Sequence, residues 1–86
     1  MIKEGFVLRK LPGMNLVMPT GANVKEFRGA LMLNDTAARI FEALQNGSSA
    51  EEAASALTEE YDVPAEKALA DVQKTVETLR EAGVLA

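Results

Sequence analysis

The chain contains no histidine, no cysteine and no tryptophan. Without histidine it lacks the one side chain whose ordinary pKa lies near neutrality, and so the commonest general acid and base. Without cysteine it has no disulfide framework and no thiolate nucleophile. The two absences together remove the usual zinc ligands. Aromatics are scarce, with three Phe and one Tyr. No apolar run approaches the roughly 18 residues needed to span a bilayer. Met1 to Gly5 show no basic segment leading into an apolar stretch, so no signal peptide is expected. These absences lead to the expectation of a cytoplasmic, non-catalytic protein with no metal and no cofactor. Asp, Glu, Lys, Ser and Thr could still support an enzyme. The only candidate constellation, however, is a scatter of carboxylates on helix faces, read more simply as solvated charge.

At 86 residues and 48% apolar content the chain has the composition of one small globular domain. A domain of this size buries only about 60–65% of its unfolded surface, which leaves little room for a deep substrate cavity. The net charge of −4 is unevenly spread. Residues 1–33 carry five basic side chains against two acidic ones, whereas residues 34–86 carry four against eleven. A mildly basic first third beside an acidic remainder fits a partner of mixed charge. It disfavours nucleic acid, whose phosphates would meet the acidic part.

The first third reads as β-structure. Gly5 to Leu11 is rich in strand formers, with Phe6 and Leu8 on one face and Val7 and Arg9 on the other. Pro12-Gly13 marks a turn, and residues 15–18 form the return strand. A third strand is expected over about 27–33, with Gly29 suggesting a bulge or a close backbone approach.

The rest reads as three helices, over about 35–46, 49–61 and 64–82. Asn34 is a good N-cap with Asp35 in the first turn. Ala37, Ile40, Phe41 and Leu44 follow at helical spacing, and Gly47 suits the left-handed position after the helix. Ser49-Ala50-Glu51-Glu52 is a capping box, and Ala53, Ala54, Leu57 and Tyr61 supply the second apolar stripe. In the third helix the expected core stripe is Leu69, Val72, Val76 and Leu79. Gly83 ends it, and Val84-Leu85 can fold back on the last turn. The fold class expected is α+β: a three-stranded antiparallel sheet followed by a three-helix bundle, resembling a winged helix-turn-helix.

Leu33-Asn34-Asp35-Thr36-Ala37-Ala38-Arg39-Ile40-Phe41 resembles the PqqD family, named for protein D of pyrroloquinoline quinone (PQQ) biosynthesis. Gly5-Phe6-Val7-Leu8-Arg9 resembles the family's first strand, Val17-Met18-Pro19-Thr20-Gly21 the end of its second, and Phe27 to Asn34 its third strand running into the first helix. Glu59 to Val63 and Leu79 to Leu85 are similar to the end of its second helix and to its C-terminus. The likeness runs in order through nearly the whole chain, and it is the ordered set rather than any one motif that is specific. Val63-Pro64-Ala65 departs from the pattern, since it leaves the third helix without a side-chain cap.

The resemblance implies a recognition element for ribosomally made, later modified peptides (RiPPs). Such a peptide chaperone binds the leader segment of a precursor and presents it to a modifying enzyme, often a radical S-adenosylmethionine (SAM) enzyme. It does not imply that PQQ is the product. In the family the leader adds as a strand to the third strand, beside the third helix. Carried onto this sequence, that site comprises Phe27, Arg28, Gly29, Ala30, Leu31 and Met32 on the strand. On the helix it comprises Lys67, Ala68, Asp71, Val72, Lys74 and Thr75. Phe27 and Leu31 fit core and cleft equally, and Arg28 fits a solvated charge as well as a leader contact. Two other readings stand beside this one. A winged helix could bind nucleic acid, and the third strand's edge could join a homodimer, so the expected state is a monomer or a weak homodimer.

Overall fold

The computed structural model describes residues 2–21 and 30–85. Strand β1 (Phe6–Leu11) turns at Pro12-Gly13 into β2 (Met14–Pro19), and β3 (Leu31–Leu33) follows. Helices α1 (Asp35–Gln45), α2 (Ala50–Glu60) and α3 (Ala65–Glu81) complete the order. The sheet is antiparallel in the order β1-β2-β3, as the sequence predicts, so β1 and β3 are its edges.

Alternation along the strands gives the sheet an inner and an outer face. Phe6, Asn15, Val17 and Leu33 are buried on the inner face, while Val7, Arg9 and Leu11 are exposed on the other. The inner face rests on α1. Behind α1, helix α3 packs mainly on α2 and also on α1. Phe41, Ile40, Leu44, Leu57, Leu79, Val17, Val72 and Val84 are almost wholly withdrawn from water. Each such side chain contributes roughly 1.5–3 kcal/mol by leaving solvent.

The helix ends obey the sequence signals. Asn34 accepts a 2.8 Å hydrogen bond from the Ala37 N–H. Ser49 and Glu52 form the reciprocal capping box, with the Ser49 N–H donating to Glu52 Oε1 at 2.9 Å and the Glu52 N–H to Ser49 Oγ at 3.1 Å. Helices α1 and α3 both close in Schellman motifs. Ser48 N–H donates to the Ala43 carbonyl and Val84 N–H to that of Leu79, with Gly47 at φ +97° and Gly83 at φ +80°. Val84 is thereby folded into the core. Helix α3 has no side-chain cap, as expected of Pro64.

Three expectations change. The described part of the third strand is only Leu31–Leu33, and Ala30 lies outside it. Its ladder with β2 ends at Val17↔Leu31, and two residues further along β2 Pro19 has no N–H to offer. Gly29 and its suggested bulge fall outside the described residues. The core stripe of α3 is Ala68, Val72, Thr75 and Leu79, whereas Leu69 is exposed and Val76 only half-buried. Helix α3 packs mainly on α2, whose buried residues are Ala53, Ala54 and Leu57. Tyr61 is not part of a buried stripe either; it is the exposed C-cap of α2.

One buried polar side chain joins the layers. Asn15 donates from Nδ2 to the Leu33 carbonyl at 3.2 Å and to Asp35 Oδ1 at 2.9 Å. Asn15→Ala removes both bonds and strips a partner from a buried carbonyl. It is expected to destabilise the fold by about 2 kcal/mol, read as a lower urea midpoint at unchanged slope.

Candidate functional site

Helix α3 packs on the other helices and scarcely on the sheet, so a space remains between it and the free edge of β3. This groove has a volume of about 410 Å³. One wall is Met32, Leu33 and Asn34, at the end of β3 and the turn into α1. The opposite wall is Lys67, Asp71, Lys74, Thr75 and Thr78 of α3. Thr36 and Ala37 of α1 and Leu57, Tyr61 and Val63 from the end of α2 lie between the walls. The interior is therefore largely apolar and the α3 rim polar.

Several rim groups are already engaged. Asn34 caps α1, and the Thr78 hydroxyl donates back to the Lys74 carbonyl at 3.0 Å. Lys67 Nζ stands 3.8 Å from Asp71 Oδ2. Lys74 forms no ion pair among the described residues, which leaves the rim with one uncompensated positive charge. Arg80, the remaining cation of α3, is paired with Glu77 at 2.6 Å.

Of the site residues named from sequence, Met32, Lys67, Asp71, Lys74 and Thr75 line this groove together. Ala68 and Val72 do not: both have no accessible surface and belong to the core beneath it. Leu31 is half-buried against the same core, and Ala30 is exposed ahead of the strand. Phe27, Arg28 and Gly29 lie outside the described residues. Among the groove residues that sequence reasoning missed are Asn34, Thr36, Tyr61, Val63 and Thr78. Thr78 was within reach, since 67, 71, 74 and 78 recur at helical spacing. Tyr61 and Val63 sit on the short α2–α3 connection, where no periodicity operates. A tight turn from the Val63 N–H to the Tyr61 carbonyl, at 2.7 Å, shapes that connection.

Beside Tyr61 a second depression is lined by Lys10, Asn15, Asp35, Ala38, Arg39, Glu42 and Glu60. Both of its cations are paired, and Asp35 is a third carboxylate that accepts from Asn15. Lys10 pairs with Glu42 at 2.7 Å, and Arg39 Nε contacts both Glu60 oxygens at 2.9 Å. The Arg39 hydrogen bonds hold the Glu60 carboxyl below its ordinary range, and the Glu60 carboxylate in turn raises the Arg39 guanidinium. Glu52 is likewise lowered, first by the Ser49 backbone N–H and then by the Ser49 side chain.

Comparisons with known proteins bear on the family and the fold. Residues 16–85 match the family profile described as coenzyme PQQ synthesis protein D (PqqD). No curated protein sequence matches the chain. Two solved structures share its fold. One is described as TbiB1 in complex with the TbiA(beta) leader peptide, at 19% identity and a TM-score of 0.76, covering 98% of this chain and 92% of that one. The other is a lasso peptide synthetase B1 complexed with the leader peptide, at 26% identity and a TM-score of 0.75, covering 98% and 93%.

The lowered carboxyls give the fold a defined acid sensitivity. The unfolded chain takes up protons at Glu52 and Glu60 at a pH where the folded chain does not. Their stabilising contribution is therefore full above the ordinary carboxylate range and is lost as pH falls through their lowered values. Glu60→Gln keeps an acceptor for Arg39 but cannot titrate. Urea midpoints at about pH 7 and about pH 3 should differ less in this variant than in the wild type.

Proposed function

This chain belongs to the PqqD family, and from that premise we propose that its groove holds an extended leader segment of a ribosomally made precursor peptide. The bound peptide is presented to a modifying enzyme, and the chain itself performs no chemistry. The observation that carries this reading is the free edge of β3 facing the polar wall of α3 across a groove with an apolar floor. A strand edge offers unpaired N–H and C=O groups, and an extended peptide satisfies them by becoming the next strand. Such main-chain bonds recognise any sequence, so selectivity falls to the side chains that line the groove. Met32 is unbranched and adapts to varied apolar side chains. Val63 offers apolar contact, Tyr61 adds an aromatic ring, and Lys74 favours an acidic group on the peptide. That both solved relatives were captured with leader peptides supports the same assignment.

Two of the three basic side chains on α3 are paired with carboxylates on the same helix, which argues against a phosphate-reading winged helix. The kind of modifying enzyme follows from the neighbouring genes rather than from this groove. A radical SAM enzyme and a lasso peptide synthetase both fit the reading.

Strand addition is tested by placing proline at successive positions of the leader. An added strand turns every second N–H towards β3, so proline should weaken binding about fivefold or more at alternate positions only. A uniform loss, or none, would overturn strand addition. Lys74→Glu should weaken an acidic leader about two- to fivefold, an effect that shrinks with added salt. Both are read by fluorescence anisotropy of a labelled peptide.

A further inference from the structure

The outer face of the sheet departs from what a solvated face requires. An antiparallel sheet with one face in water normally alternates apolar inwards and polar outwards. Here the register places Val7 beside Met18, Leu11 beside Met14, and Leu16 between Arg9 and Met32, all on the face away from the helices. Val7, Leu11 and Met14 keep 40–42% of their surface accessible and Met32 keeps 65%. Arg9 is the single charge among these residues and forms no ion pair among those described. The described part of this face is thus an apolar patch around one cation, with no carboxylate of its own. Contiguous apolar surface of this kind marks interaction sites.

We infer that this outer face docks a second protein, whose contact surface is apolar and carries a carboxylate placed to meet Arg9. A second copy of the chain presenting the same face fits poorly. It would bring two guanidiniums into one apolar interface with no acidic side chain from the described part of either face to neutralise them, and an unpaired buried charge is strongly unfavourable. The face is continuous with the groove. Met32 lines the groove and also stands on the outer face, across from Leu16. A protein seated here therefore touches whatever lies along β3. That makes the occupant the enzyme acting on the bound peptide. This identification of the partner rests on the groove reading, whereas the patch and its charge do not.

The test compares the full chain with Arg9→Glu, with the double variant Val7→Ser/Met14→Ser, and with Lys74→Glu. All substitute exposed positions, and thermal melts verify that each folds. The probes are the labelled leader and the processing enzyme encoded beside the precursor. The enzyme's affinity is measured by calorimetry. The outer-face variants should weaken the enzyme about tenfold or more while leaving leader affinity within about twofold. Lys74→Glu should weaken the leader and spare the enzyme. Outer-face variants that bind the enzyme as the wild type does would overturn the inference, as would a wild-type chain that does not bind the enzyme at all. Sedimentation revealing a homodimer that Arg9→Glu dissociates would overturn it in favour of a second copy. If the leader fails to bind but the outer-face variants still lose the enzyme, the groove reading falls and the docking face stands.

Discussion

The side-chain amide of Asn15 sits where β2, β3 and α1 meet, and the geometry of the groove follows from it. One hydrogen bond fixes the last carbonyl of β3, and the other fixes the first residue of α1. Between those two points the chain must turn from strand to helix within Asn34, whose own side chain then caps the helix. The strand's free edge and the start of α1 are thereby held as one corner. A buried polar side chain in so small a core is costly unless satisfied. No buried side-chain polar atom among the described residues lacks a partner. The cost of withdrawing the amide from water is thus offset by orientation: the corner has one arrangement.

The opposite wall is set by a different constraint. On α3 the buried positions 68, 72, 75 and 79 run beside the groove positions 67, 71, 74 and 78. Each groove residue is one step from a core residue, so the packing of α3 on α2 aims the peptide-facing stripe as a by-product. Rotating the helix by one residue, about 100°, would bury Lys67 and Lys74 and expose the core. The wall is therefore as rigid as the core is. The rim charges are held less firmly: Lys67 has only the 3.8 Å contact with Asp71, and Lys74 forms no ion pair among the described residues.

That coupling explains what the sequence made legible. Caps, turns and strand alternation are local. Asn34, Ser49, Glu52, Gly47 and Gly83 could be assigned their places from immediate neighbours alone. The rotation of α3 is not local. Leu69 looks like core because leucine usually is, and Ala68 does not, yet the alanine is buried and the leucine exposed. Ala68 is accordingly read as groove when it lies beneath it, and Val72, which fits both core and groove by spacing, is core. Tyr61 was invisible as a groove residue because its role depends on where a connection happens to end. Asn15 gave no signal either, since one asparagine in an apolar strand reads the same whether it faces water or a carbonyl.

Ile2 and Leu85 form a β-bridge, and the Lys3 N–H donates to the Val84 carbonyl at 2.8 Å. The Schellman turn that buries Val84 thus also delivers a strand partner to the chain's beginning. Entry and exit lie side by side. A fold with that property can be spliced into a surface loop of a larger protein, because the host must bridge only the gap between two neighbouring strands. The same clasp lets a tether attached at either terminus leave from nearly one point, so it would swing the whole module, groove and outer face together, as a rigid unit.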